Sequence, residues 1–216
     1  GHSVAHLTQD ALMPLLPGTP ASPQAARLVV NVGTGLNIAP VYRLNGQTLV
    51  PPSEAGHITM PLQTEDELRL MHFVTKDGET PGLEDILSGR GFERIYAWLC
   101  AEDRSGTPMN AAAIMQAFHD GDDRARRAME LFVRMMGRYA GNLALITLPF
   151  GGVYLYGGVA QHFGPYLLEM GFAEAFRDKG RFAGFMDQFP VHLMTDDYAG
   201  LTGCAAHLAE LLAGQG

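Results

Sequence analysis

A change of hydrophobic period divides the chain: strand-like patterns run to Val50, and beyond Thr64 the apolar residues recur at helical spacing. The run Leu28-Val29-Val30-Asn31-Val32 reads as a buried strand that stops at Gly33-Thr34-Gly35-Leu36-Asn37. Residues 38–43 and 47–50 then flank Asn45-Gly46, the strongest short hairpin signal. Three consecutive strands follow from this. Pro51-Pro52 stops the third and delivers Ser53-Glu54-Ala55-Gly56-His57 at its end. Such an end is held by the scaffold yet open to ligand.

After the loop, Thr64 and Glu67 form a capping-box pattern that opens a helix to about Phe73, and Thr80-Pro81 starts a short helix ending at Ser88-Gly89. Phe92, Ile95, Tyr96 and Leu99 mark the buried face of the next. Asn110 caps a helix to about Phe118. Asp122-Asp123 opens a long one whose stripe is Met129, Phe132, Val133 and Met136, continuing through Leu143-Ala144-Leu145. Periodicity leaves residues 146–150 open between helix and strand. A short strand bounded by glycine pairs follows, Gly151-Gly152-Val153-Tyr154-Leu155-Tyr156-Gly157-Gly158-Val159, then helices over 161–170 and 172–179. Residues 191–194 read as a final strand, and 200–212 as an amphipathic helix carrying Leu201, Cys204, Ala205, Leu208 and Leu211-Leu212. Residues 4–26 read as a lead-in that buries little, with a helical pattern broken by Pro14, Pro17 and Pro20; Gly1-His2-Ser3 reads as a cloning remnant. The expected architecture is an α/β domain with a mixed sheet and a helical insertion.

Composition narrows the partners. The chain of 216 residues is 47% hydrophobic and carries a formal net charge of -8, so it lacks the basic field that a nucleic acid or an anionic membrane requires. Cys100 and Cys204 have no metal-ligand or disulfide-framework spacing, which fits a reducing cytoplasm. No apolar run reaches the roughly 20 residues of a membrane span. Expected here is a soluble protein without nucleic-acid or membrane partners.

Each candidate site has a plain structural reading beside it. Gly33-Thr34-Gly35 is either a phosphate cradle, with backbone N–H groups free to approach an anion, or an ordinary strand-end turn. It is neither a Walker motif nor a dinucleotide fingerprint, because a hairpin follows it instead of a helix. Glu54 and His57 can converge on one hydroxyl-rich ligand or simply be solvated. Glu84 suits a first helical turn in any case, and Ser88-Gly89-Arg90-Gly91 reads equally as a helix stop. The glycine pairs around residues 153–156 fit either a nucleotide base or tight helix–strand packing. Asp120, Asp122 and Asp123 read as a helix cap and Thr195-Asp196-Asp197 as a turn. His72, His119, His162, His192 and His207 show no metal-ligand spacing, so no metal site is expected on protein side chains.

Taken in order, these segments resemble the bacterial glucokinases that lack the cysteine-rich zinc motif of the repressor-type sugar kinases. Gly33-Thr34-Gly35-Leu36 is similar to that family's second phosphate motif, and Glu54-Ala55-Gly56-His57 to its sugar loop. Leu83-Glu84-Asp85-Ile86-Leu87-Ser88-Gly89-Arg90-Gly91 resembles its Glu-x-x-Leu-Ser-Gly-x-Gly segment. Residues 137–145 resemble its connecting helix and 151–159 its adenosine motif; 176–182 and 200–203 complete the series. Asn37 and Ala55 stand where the family has glycines.

The resemblance implies an actin-like ATPase (hexokinase-type, ribonuclease H-like) fold and ATP-dependent phosphorylation of glucose, with Mg2+, in a cytoplasmic homodimer. Glu54, His57 and Glu84 would then bind the sugar hydroxyls. Gly33, Thr34 and Gly35 would face the phosphoryl group, and Gly157 and Gly158 the adenosine. It implies no catalytic residue here: the family's Asp-x-Gly-Gly-Thr stretch and the Asn-Asp dipeptide holding the general base have no counterpart. On this reading, residues 1–26 lead in from an absent amino-terminal domain, 27–199 form the large domain, and 200–216 hold a helix that packs on the absent small domain. A fragment of this kind would be inactive alone. A kinase for another hexose or an amino sugar, or a non-catalytic sugar-sensing regulator, would share the same machinery.

Overall fold

In a computed structural model, residues 1–5, 8–75, 78–196 and 198–213 are described. Six strands form one mixed sheet in the order β1-β6-β5-β2-β3-β4. Strands β2 (Arg27–Val32), β3 (Leu36–Leu44) and β4 (Gln47–Leu49) make the expected antiparallel meander, with Asn45 and Gly46 both at positive φ in the hairpin turn. Strand β5 (Val153–Tyr156) lies parallel to β2, and β6 (Val191–Met194) parallel to β5. The antiparallel edge strand β1 (Leu12–Leu16) pairs with β6. That strand corrects the reading of residues 4–26, because Leu15 is buried and the register slips at Pro14, as expected of proline on a sheet edge.

Alternation along the strands sorts side chains onto two faces. Leu28, Val30, Val32, Val153, Leu155, Val191 and Leu193 enter the main core beneath the helices. Helix α4 (Asp123–Thr147) runs through this core, against α2 (Gly89–Glu102), α3 (Ala111–His119) and α6 (Phe172–Arg177). Val29, Val41, Tyr154, Met194, Ala199 and Val4 form a much smaller cluster on the other face. A short 3-10 turn (His2–Ala5) and α7 (Ala199–Ala213) pack together on that side. The stripe expected along α7 faces outward: Leu201, Leu208 and Leu212 are exposed, as is Tyr198 just before the helix. Asp197 and the Leu211 side chain lie outside the described residues.

Caps set the helix starts. Helix α1 (Glu65–Val74) has the predicted capping box, with Thr64 Oγ1 accepting from the Glu67 N–H at 3.2 Å and Glu67 Oε2 accepting from the Thr64 N–H at 3.3 Å. Asn110 caps α3 and Asp122 caps α4. Ser88 is a helix start and not a stop. Its hydroxyl accepts from the Gly91 N–H at 3.1 Å and opens α2, while the short helix expected from Thr80 is a single 3-10 turn, Leu83–Asp85. Residues 146–147 are helical, and Leu148 ends α4 in the left-handed region. Among the described residues, no helix is long and apolar enough to cross a membrane.

Candidate functional site

Parallel strands β2 and β5 end side by side, and each runs into a glycine motif. The turn after β2 is closed by the Gly33 N–H, which donates to the Gly35 carbonyl at 2.9 Å. Beyond β5, Gly157 precedes α5 (Gly158–Phe163) with φ of 99°, a conformation that suits glycine. Its Cα is also crowded, since a Cβ there would lie 2.5 Å from Asn31 Oδ1 and 2.6 Å from the Val32 carbonyl. The Gly89 N–H, in the first turn of α2, donates to the Gly33 carbonyl at 3.0 Å. Three glycine backbones, Gly33, Gly89 and Gly158, therefore border one space. The amino-terminal end of the 14-residue α2 adds its positive dipole end to that border.

The space is a largely apolar cavity of about 600 Å³. That volume suits a small-molecule ligand of nucleoside size. Gly33, Thr34, Gly89 and Gly158 line one end; Phe92, Met115, His119 and Val159 line the rest. His119 Nε2 and Tyr166 Oη lie 3.0 Å apart, which fixes the imidazole at the cavity wall. The sequence marks α3 only as a helix capped by Asn110, and nothing in it nominates Ala111, Met115, Gln116 or His119 as cavity-lining residues. Only the tertiary packing of α3 across α2 brings them to the glycine turn.

A second group adjoins the first through Gly35. Glu84 Oε2 accepts from the Leu36 N–H at 2.9 Å, and a Cβ on Gly35 would lie only 2.8 Å from that oxygen. Gly56 sits against the Leu36 carbonyl, where any side chain would collide, and its Cβ position lies 3.5 Å from Glu84 Oε2. The 3-10 turn Ala55–His57 is closed by the His57 N–H donating to the Glu54 carbonyl at 3.0 Å. The Leu83 N–H donates to the Ile58 carbonyl at 2.9 Å and ties the two loops together. Glu54 and His57 present side chains 83% and 69% exposed, with 3.9 Å between Oε2 and Nε2. Their hydrogen-bonding capacity is thus largely open to a ligand, whereas Glu84 is already anchored by one backbone N–H.

Helix α4 buttresses this loop from within. The buried Tyr139 hydroxyl donates to the Ala55 carbonyl at 3.0 Å, and burial raises the phenol pKa so that it stays protonated. Next to it Arg138 Nη1 pairs with Glu67 Oε2 at 2.9 Å, both side chains nearly inaccessible, and donates to the Pro61 carbonyl at 3.0 Å. The residues nominated from the sequence lie in or beside these two groups. Gly33, Thr34 and Gly158 border the cavity, Gly157 stands behind it, and Gly35 links it to Glu84, beside the loop of Glu54 and His57. Asp122 serves as the expected helix cap, and Asp120 Oδ1 accepts from Gln116. No cluster of three metal-ligating side chains exists among the described residues.

A meander leading into parallel strands, with glycine backbones gathered at their carboxyl ends, makes this an α/β domain of the actin-like ATPase fold. The crystal structure of a glucokinase from an Antarctic psychrotroph superposes with a TM-score of 0.87 at 28% identity, covering 97% of this chain and 65% of that one. The glucokinase family profile matches residues 1–211. The chain is 35% identical to the glucokinase of Pectobacterium atrosepticum over 199 residues, 91% of this chain and 60% of that protein. It is 34% identical to that of Erwinia tasmaniensis over 212 residues, 97% of this chain and 66% of that protein. It belongs to the glucokinase family. It spans between 60% and 66% of the length of these two relatives.

Proposed function

We propose that the protein to which this chain belongs transfers the terminal phosphoryl group of ATP to glucose, forming glucose 6-phosphate. The observation that carries this reading is the junction at Gly35, where an anion cradle meets a loop of open carboxylate and imidazole groups. A phosphoryl donor and a polyhydroxylated acceptor would meet there. Phosphoryl transfer needs positioning and charge stabilisation more than covalent chemistry. The backbone amides of Thr34, Gly35 and Gly158 would hold phosphate oxygens, with Thr34 adding a hydroxyl, while the apolar cavity beside Phe92 and Met115 takes the nucleoside. Glu54, His57 and Glu84 would orient the sugar. A site built for hydroxyl groups rejects analogues that lack them, because its own polar groups then go unpaired.

The chain's residues fit a nucleotide. Gly158 leaves open space where a side chain would stand, and a Cβ on Gly33 would meet only the Gly158 nitrogen, 4.0 Å away. Among the described residues there is no carboxylate cage for a metal, so Mg2+ would arrive on the phosphates with most of its ligands from phosphate and water. Its contribution would be to neutralise charge on the phosphates. In this reading residues 27–199 together with the edge strand β1 form the large domain, the rest of the lead-in and α7 adjoin a second domain, and the general base is an Asp of that domain. The isolated chain would be inactive, and the enzyme a cytoplasmic homodimer.

The test is ADP release by the full-length protein given ATP and Mg2+ with a panel of glucose, other hexoses and amino sugars. Release that requires glucose and exceeds that with the other sugars is expected. Release independent of any sugar would overturn the reading, and preference for an amino sugar would replace the acceptor.

A further inference from the structure

Asn31 is a residue that no motif accounts for. It interrupts the apolar run of β2, a strand paired on both sides, with an exposed carboxamide of low strand propensity. Its lateral neighbours are Asn37 on β3 and Tyr156 on β5, all at the carboxyl end of the sheet. Asn37 Oδ1 accepts from the Ile38 N–H at 2.8 Å, while the Asn31 side chain makes no hydrogen bond among the described residues. Its Oδ1 lies over Gly157, in the space that a side chain at that position would need. The carboxamide therefore stands beside Gly157, just outside the lining of the cavity and two residues before Gly33.

We propose that Asn31 is a further phosphate contact, its Nδ2 donating a hydrogen bond to a terminal phosphoryl oxygen of the bound nucleotide. Side chains two apart on a strand share a face and are separated by about 7 Å. Asn31 thus projects, with Val29, from the face of β2 opposite the helices, one residue short of the strand's end and two before the glycine turn on which an anion would sit. A preorganised neutral donor near a phosphoryl group stabilises charge as it redistributes in the transition state, without the desolvation cost of a buried cation. The inference rests on the nucleotide role of this cavity, and its test is built to read independently of sugar chemistry.

Binding of ATP and of adenosine to the full-length protein, its Asn31→Ala variant and its Asn31→Asp variant is measured by calorimetry, with thermal melts as a control for folding. A hydrogen bond to a charged group is lost at a cost of roughly 10- to 100-fold in affinity. Asn31→Ala is expected to weaken ATP by that factor and leave adenosine unchanged. Asn31→Asp, nearly the same shape but anionic, is expected to weaken ATP further. Unchanged ATP affinity in both variants would overturn the proposal, and so would tighter Mg-ATP binding by Asn31→Asp, which would mean that the side chain faces the cation. Failure of the wild-type protein to bind ATP would overturn it together with the nucleotide site. ATP binding without sugar phosphorylation would sink the kinase reading and leave this inference standing.

Discussion

The two faces of the sheet are built for different tasks. Beneath the helices Leu28, Val30 and Val32 of β2 are fully buried, and α4 adds Phe132, Met136 and Tyr139 to the same core. On the opposite face the same strand shows Val29, nearly buried, and then Asn31 in the open. The cluster there is small, and α7 turns Leu201, Leu208 and Leu212 to solvent. Stability is thus concentrated on one face, while the groups nominated for ligand sit at its margin with open polar atoms. Substitutions should separate accordingly, costing folding on the closed side and binding on the open one.

The largest expected effect tests the closed face. Phe132 is completely buried and meets Phe92 and Phe163 edge-on, with ring centroids 5.8 and 4.9 Å away. Phe132→Ala should destabilise the fold by about 3–5 kcal/mol, read from urea denaturation. A cost under about 1 kcal/mol would mean that this core repacks freely and that the contrast between faces is overstated. Arg138→Met comes next. It leaves Glu67 buried without its cation, at an expected cost of about 3 kcal/mol. Because the pair also ties residues 61–67 to α4, the glucose KM should rise while the ATP KM stays within about two-fold. Equal rises in both would make the pair a general brace.

Glu84→Gln should invert this pattern. The amide oxygen can still accept from the Leu36 N–H, so the melting temperature should barely move. Sugar binding should weaken roughly 10- to 100-fold, the usual loss when a charged acceptor is removed from a hydrogen bond. Wild-type glucose affinity in a folded Glu84→Gln protein would remove Glu84 from the sugar site.

Local signals in the chain foretold local structure. The Asn45-Gly46 hairpin, the Thr64 capping box, the Asn110 and Asp122 caps and the long stripe of α4 each depend on residues close in sequence. Ser88 was misread because a serine beside glycines serves a helix stop as well as a start, and only the hydrogen bond from Gly91 decides between them. Strand β1 was missed because its partner β6 lies at the far end of the chain and Pro14 argues against a strand until an edge is available. The site was legible as separate motifs. What joined them, Gly35 against Glu84 and α3 against the glycine turn, depends on packing between distant segments. Asn31 carried a signal, a carboxamide inside an apolar strand, but its meaning required Gly157 beside it.

The smallest expected effect lies on the open face itself. His192 of β6 stacks on Tyr154 at 5.4 Å; Pro14 of β1 flanks it on the other side, Arg27 lines the same recess, and its Nδ1 is buried without a partner. Burial lowers its pKa below the ordinary 6.5. The unfolded chain therefore takes up the proton first as pH falls below 6.5, and stability present above that value erodes until the folded-state pKa is passed. His192→Gln cannot titrate, so its urea midpoint should lose this component of the acid slope while other groups keep theirs. An unchanged slope would mean that His192 is protonated as readily in the folded protein as in the unfolded chain, and that this face is wetter than its packing implies. A flattened slope would show that even the thinly covered face excludes water near Tyr154 and confines solvent access to the end of the sheet where Asn31 and the glycine turn lie.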